Sequence, residues 1–269
     1  MKDELGDRMK SHYENRTRVF LPRRTYTIIR VDGKCFSSFT KNLVKPFDTG
    51  LVEDMDETAK YLCKNIQGAV IGFVQSDEIS ILMTDFATHQ TDAWFDGNIQ
   101  KIVSVAASLA TSKFNQLRLK RNAELMLEYS VQFVSDNNSK IVNKIEDFID
   151  NFKLAEFDAR TFTIPAKSEV MNSLIWRQQD TVRNSISSVA QSLYSHKELN
   201  GKNMSVQQEM IFQKGVNWND YDSKLKRGRL VMKEKYDKEG TERTRWIISD
   251  CPTFSQNPEF LDSLIPDLP

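Results

Sequence analysis

Residues 69–75 (AVIGFVQ) and 79–84 (ISILMT) are two apolar runs held apart only by Ser76-Asp77-Glu78. Runs this short, rich in β-branched and aromatic residues and so closely spaced, can bury their faces only by folding back on each other as an antiparallel hairpin. Asp77 is thereby placed at a hairpin tip. Upstream, residues 25–31 (TYTIIRV) read as a strand that stops at the turn dipeptide Asp32-Gly33. Between them, residues 49–65 carry Leu51, Met55, Ala59 and Leu62 at helical spacing behind a Thr49 cap. Residues 92–119 read as a second helix with Trp94, Ile102, Val105, Leu109 and Phe114 on its core face, and residues 157–164 (FDARTFTI) as a further strand. Strand, helix, hairpin, helix, strand is the order of a ferredoxin-like split βαβ sheet. The expected class is therefore α+β: an antiparallel sheet with helices on one face, plus a helical C-terminal portion.

In that portion, residues 168–195 form a long helix whose apolar stripe is Met171, Ile175, Val182, Ile186, Val189 and Leu193. Its polar face shows Arg177, Asn184 and Ser188, flanked by Arg183, Ser187 and Gln191. A shorter helix at 203–212 and a terminal hairpin, 229–236 with 241–249 turned by Lys238-Glu239-Gly240, follow. The polar stretch 137–151 reads as an insertion or loop. Residues 1–165 would make the catalytic portion, and 166–269 a helical and hairpin region packed on it as one unit.

At 269 residues, 39% hydrophobic and 28% charged, the chain is too apolar for a disordered protein. Its 37 basic and 37 acidic residues balance, which taken alone argues against a polycation. The balance hides unlike blocks. Residues 16–45 hold eight bases and one acid, residues 46–99 ten acids and two lysines, and residues 224–249 nine bases and four acids, net +7, −8 and +5. Such segregation would leave a basic face on a neutral protein. Three scattered cysteines and three scattered histidines exclude a zinc cluster, so a metal here must be a hard ion held by carboxylates and carbonyls. With acids near the N-terminus and no long apolar stretch, no membrane partner is expected, and the expected location is cytoplasmic, or mitochondrial in a eukaryotic source.

In a split βαβ sheet the first strand and the hairpin are neighbours, so Asp32 and Asp77 converge at one edge of the sheet. Two aspartates there would hold two magnesium ions for phosphoryl transfer. Gly33 lets its carbonyl or amide approach a metal or phosphate closely. Lys34, Cys35, Phe36 and Ser37 offer amides, a hydroxyl and a ring, with Phe36 equally suited to the core. Lys45 would neutralise phosphate charge, and Glu78 is a further ligand or a supporting acid.

The blocks Arg30-Val31-Asp32-Gly33-Lys34-Cys35-Phe36, Lys45-Pro46-Phe47-Asp48, Gln75-Ser76-Asp77-Glu78, Phe157-Asp158-Ala159-Arg160 with Pro165, and Trp176-Arg177-Gln178-Gln179-Asp180 resemble, in order, the signature blocks of the tRNA(His) guanylyltransferase superfamily. The resemblance implies a palm-like catalytic domain that adds nucleotides in the reverse, 3′-to-5′, direction. It implies that Asp32 and Asp77 bind two Mg2+ ions, assisted by the Gly33 backbone, and that Asp32 to Ser37, Ser76 and Asp77 bind the incoming nucleoside triphosphate. The implied substrates are GTP, ATP for activation, and a tRNA with an activated 5′ end. Arg177, Arg183 and Asn184 would contact phosphate or tRNA, and a homotetramer is common in the family. Two departures stand out: residues 182–188 read VRNSISS where eukaryotic tRNA(His) enzymes carry a His-Ile-Asn-Asn-Leu-Tyr-Asn run, and Ser37 stands where histidine is frequent. Arg183-Asn184-Ser185 and the later Ser195-His196-Lys197 to Gly201-Lys202 resemble the guanylyltransferase-like branch, which implies template-directed tRNA 5′-end repair. The alternatives are a strict tRNA(His) guanylyltransferase, a nucleotidyl cyclase on the same metal pair, and an RNA-binding protein without turnover.

Overall fold

The computed structural model describes residues 3–132 and 152–269. The strands are β1 (Tyr26–Gly33), β2 (Ala69–Gln75), β3 (Glu78–Met83), β4 (Phe157–Ile164), β5 (Arg229–Lys238) and β6 (Thr241–Asp250). The helices are α1 (Glu4–His12), α2 (Phe36–Phe39), α3 (Thr49–Asn65), α4 (Ile99–Gln132), α5 (Lys167–Leu193), α6 (His196–Leu199), α7 (Met204–Gln213), α8 (Ser223–Arg227) and α9 (Pro258–Leu264). The six strands form one antiparallel sheet ordered β4-β1-β3-β2-β5-β6. The first four reproduce the split βαβ order, and the C-terminal hairpin extends the sheet past β2.

The twofold alternation of a strand divides the core in two. Ile29 and Val31 of β1 face α3 and α4, where Met55, Ala59, Leu62, Ile102, Ala106 and Phe114 are buried. Tyr26 and Ile28 face the other way, onto Val170 and Leu174 of α5 and the C-terminal Phe254, Leu261 and Ile265. The expected face of helices is α3 with α4, and the C-terminal portion closes the opposite face.

Several boundaries differ from the sequence reading. β1 runs on through Asp32 and Gly33, because both pair with β4. Asp48, not Thr49, caps α3: its Oδ1 accepts from the Leu51 amide at 2.7 Å. The second long helix begins at Ile99 rather than at residue 92. Phe95, Asp96 and Gly97 all have positive φ, and Asn98 caps the new start by accepting from the Lys101 amide. On α5 the expected stripe is buried or packed on the core, with Ile186 and Val189 fully inside, but the inward face is wider and takes in the polar Arg177, Gln178, Thr181 and Ser185 as well. The stretch 137–151 lies outside the described residues.

The acidic block is largely consumed inside the molecule. Asp54, 2% exposed, meets Arg118 at 3.1 Å and Arg121 at 3.0 Å. Asp56 meets Arg229 at 2.6 Å and Asp85 meets Arg23 at 2.5 Å. Among the described residues no helix is long and apolar enough to cross a membrane.

Candidate active site

Antiparallel order brings the end of β1, the β2–β3 turn and the start of β4 to one end of the sheet. There Asp32 stands opposite Glu78 of β3 and Asp158 of β4. The turn is only Ser76-Asp77, with Ser76 at a left-handed φ of 43°. The Gly33 amide donates to the Asp77 carbonyl at 3.1 Å, tying the strand end to the hairpin tip. Burial, then the nearby Glu78 and Asp158 charges, push the Asp32 carboxyl above its ordinary range, and Arg160 and Arg30 only partly offset this. Burial likewise raises Asp77, with Asp32 and Glu78 adding to it and hydrogen bonds from its own amide and from Ser76 opposing. Among the described residues neither aspartate is in an ion pair.

Glu78 is different. Arg177 of α5 grips it with both arms of its guanidinium, Nε to Oε1 at 2.8 Å and Nη2 to Oε2 at 2.6 Å, and also reaches Asp180 at 3.0 Å. Trp176 stacks on the same guanidinium, 4.6 Å from its ring centroid. Thr181 donates to Gln75, and Gln178 donates to the Pro252 carbonyl and accepts from the Phe254 amide. The expectation that Arg177 lies on an exposed polar face is corrected: it is 8% exposed and latches α5 onto the hairpin. Arg183 and Asn184 are exposed and turn toward Asp180. Against the burial that raises it, the Arg183 and Arg177 guanidiniums hold the Asp180 carboxyl below its usual range.

The loop after β1 divides likewise. Cys35 and Ser37 are exposed, Cys35 at a left-handed φ of 55°. Lys34 pairs with Glu156 at 2.6 Å. Phe36 presents no ring to a ligand: it packs on Phe39, Phe114 and Phe157 with centroids 5.0 to 5.6 Å apart and is 5% exposed. A Cβ on residue 33 would overlap the Phe36 ring, so the glycine is required by the core beneath as well as by whatever approaches from above. Beside the acids, a cavity is lined by Lys45, Asp48, Ser76, Asn184, Ser188 and Arg229, among others. Lys45 donates to the Thr40 carbonyl at 3.0 Å. The structure thus gathers Asp32, Gly33 and Asp77 at the sheet end, and Lys45, Ser76 and Asn184 in the adjoining cavity.

Two residues escaped the sequence reading. Asp158 is exposed on β4 directly across from Asp32, a placement implied once β4 is set beside β1. Arg229 opens β5, is paired with Asp56, and keeps its buried Nη2 without a hydrogen-bond partner at the cavity wall; nothing in its local sequence distinguishes it.

A split βαβ sheet with two carboxylates at one end and a polar cavity beside it suits phosphoryl transfer, but the fold alone defines no activity. The family model described as tRNAHis guanylyltransferase matches residues 6–165. The chain belongs to that family, and is a nucleotidyltransferase of the tRNA guanylyltransferase type. A bacterial tRNA(His) guanylyltransferase-like protein solved in complex with ATP is 40% identical, with a TM-score of 0.77, and the alignment covers 98% of this chain and 99% of that one. Its counterpart in complex with GTP is 38% identical with a TM-score of 0.76, covering 97% and 99%. The tRNA(His) guanylyltransferase of Saccharomyces cerevisiae is 27% identical over 231 residues, 80% of this chain and 85% of that protein.

Proposed function

We propose that this chain is a magnesium-dependent, template-directed nucleotidyltransferase that adds nucleotides in the 3′-to-5′ direction to the 5′ end of tRNA, rebuilding truncated ends. The observation that carries the reading is the Asp32 and Asp77 pair, joined through the Gly33 amide, at a sheet end beside the cavity of Lys45, Ser76 and Asn184. Both carboxyls are raised by burial and by neighbouring acids, Glu78 and Asp158 for Asp32 and Asp32 and Glu78 for Asp77, which fits a place prepared for cations. Among the described residues no three acids, cysteines or histidines converge on one point, so an ion here needs further oxygens from triphosphate and water, as magnesium prefers. Asp32, Asp77 and the Gly33 carbonyl would hold two magnesium ions, which when bound neutralise phosphate charge and activate the attacking oxygen.

The chain's own groups would do the positioning. Lys45, Ser76 and Asn184 orient phosphate oxygens, Cys35 and Ser37 line the approach to the nucleotide, and the Arg177–Glu78 fork holds the hairpin tip steady beneath α5. The incoming nucleotide's 3′-hydroxyl oxygen attacks the phosphorus of the activated tRNA 5′ end. A new P–O bond forms, the hydroxyl proton is lost, and pyrophosphate or AMP departs according to how the end was activated. That the chain resembles proteins complexed with both ATP and GTP supports both roles for triphosphate. The VRNSISS stretch lies on α5, with Asn184, Ser185 and Ser188 in the cavity wall, and its departure from the tRNA(His) run favours end repair over a strict tRNA(His) role. A homotetramer belongs to the same proposal.

Incubation with magnesium, labelled nucleoside triphosphates and a 5′-truncated tRNA transcript tests it. Extension of the 5′ end to the length of the template is the expected result. Product from triphosphate alone would make the chain a cyclase, and a gel shift without nucleotide consumption would make it a binder.

A further inference from the structure

Far along the sheet from the carboxylates lies a second groove, between α3, α4 and the C-terminal hairpin. β5 pairs with β2 only from Arg229 to Val231, so beyond that point the hairpin has no strand neighbour but itself. Its inner face meets the helices across a groove lined by Lys60, Tyr61 and Lys64 of α3, Lys113 of α4, and Lys233 and Trp246 of the hairpin. Lys233 stands four residues past Arg229, roughly 13 Å along the strand at about 3.3 Å per residue. The only carboxylate in the lining, Glu57, is engaged by Lys60 at 2.7 Å. Among the described residues Lys64, Lys113 and Lys233 have no acidic partner. Instead two of them lean on rings: Lys113 lies 5.7 Å from the Tyr61 centroid and Lys233 5.1 Å from that of Trp246. Lysines without anions, interleaved with half-exposed aromatic rings, are the combination that takes a phosphate backbone on the cations and an unstacked base or ribose on a ring.

We infer that this groove is a second RNA grip, binding the body of the tRNA while its 5′ end occupies the sheet end. The inference rests on the proposed tRNA substrate and extends it to a surface remote from the chemistry. Charge complementarity selects the occupant, since a protein partner would have to bring acids against every one of these lysines. Further along the hairpin the charges are mixed, with Lys235 paired to Glu242 at 3.1 Å and Arg245 to Glu234 at 2.6 Å, so the partnerless lysines are concentrated in the groove.

The test is a Lys64→Ala/Lys113→Ala/Lys233→Ala variant, compared with wild type by filter binding of a full-length tRNA transcript over a range of salt. Removing three phosphate contacts should weaken binding about tenfold or more and flatten the slope of log affinity against log salt by roughly two to three. Nucleotide addition at saturating tRNA and affinity for GTP should be unchanged, and the corresponding triple Lys→Arg variant should restore binding. Unaltered tRNA affinity and salt slope would overturn the inference. So would a change of oligomeric state in sedimentation, which would make the groove a contact between copies. Asp32→Ala protein keeps the groove, so tRNA binding by that variant, together with absence of extension by wild type, would sink the catalytic reading and leave this one standing.

Discussion

Two groups of carboxylates among the described residues are built in opposite ways. On α3, Asp54 is almost wholly buried, yet Arg118 and Arg121 close on it, and Asp56, two residues on, is closed on by Arg229 of β5. At the end of β1 and the β2–β3 turn, Asp32 and Asp77 are only partly buried, yet no arginine or lysine among the described residues pairs with them, and the acids around them outweigh the more distant Arg160 and Arg30. A buried carboxylate with its own cations is a structural joint. Neighbouring carboxylates kept without them cost stability, and perturbed groups of that kind gather at functional sites. Glu78 stands between the two types, beside Asp32 in register but held by Arg177.

Substitution should separate the clusters. The largest effect is expected for Asp32→Ala or Asp77→Ala. Nucleotide addition should fall by roughly a thousandfold or more, about 4 kcal/mol of transition-state stabilisation, while resistance to denaturant is unchanged or slightly raised because acid repulsion is relieved. Activity that survives in a folded Asp32→Ala protein would break the comparison. Asp54→Ala should do the reverse. It leaves the buried Arg118 facing a void, while Arg121 keeps Glu53, and should lower unfolding stability by about 3 kcal/mol, with extension per folded molecule retained. Equilibrium denaturation read beside single-turnover extension distinguishes the pair. If Asp54→Ala cost activity and no stability, the structural reading of that cluster would fail.

Glu78→Gln should land between them. Half of the Arg177 fork is kept and its charge complement is lost, which should lower stability by about 1.5 to 3 kcal/mol. It should also slow extension by up to roughly a hundredfold through displacement of the hairpin tip. The loss should appear in kcat rather than in KM for GTP, since Glu78 holds the turn without touching the nucleotide.

How far these contrasts were legible in the sequence depends on whether the signal is local. The strands announced themselves, because β-branched and aromatic runs bounded by turn residues have few other fates, and the order of elements then placed Asp32 near Asp77. What spacing along the chain does not carry is the partner of a polar residue. Arg177 read as surface because its carboxylate lies 99 positions away, and Gln178 drew no role of its own because its amide serves the equally remote segment near Phe254. Phe36 read equally as a stacking ring or as core, because Phe114 and Phe157, which decide for the core, are also remote in sequence. The start of α4 was misplaced because positive φ at Phe95 and Asp96 is imposed by tertiary context on residues whose types do not demand it.

Gly33 joins the two kinds of region, with the Phe36 ring beneath it and the carboxylates around it. Gly33→Ala should cost about 1 to 3 kcal/mol by overpacking the ring, visible in denaturation, and should weaken nucleotide binding by shifting the loop. A variant that kept its stability and lost only nucleotide affinity would show that the glycine answers to the ligand alone.

The smallest effect is expected at the thiols, and it sharpens the contrast without disturbing the fold. Burial pushes the Cys63 thiol up to about 12 and the Cys251 thiol up to about 11. At neutral pH both stay protonated and closed to reagent, because the thiolate is the nucleophile and burial denies it. Cys35 is exposed, on the loop that follows Asp32. Native protein should therefore release one equivalent of chromophore rapidly with a disulfide reagent, Cys35→Ala protein none, and unfolded protein three. If residues 34–37 line the nucleotide, magnesium with GTP should slow that one equivalent several-fold, while an Asp77→Asn variant, which keeps the loop and loses a carboxylate, should show much weaker protection. Equal protection in both would mean that GTP reaches the loop without the acids, and the partnerless cluster would then have to serve something other than the nucleotide.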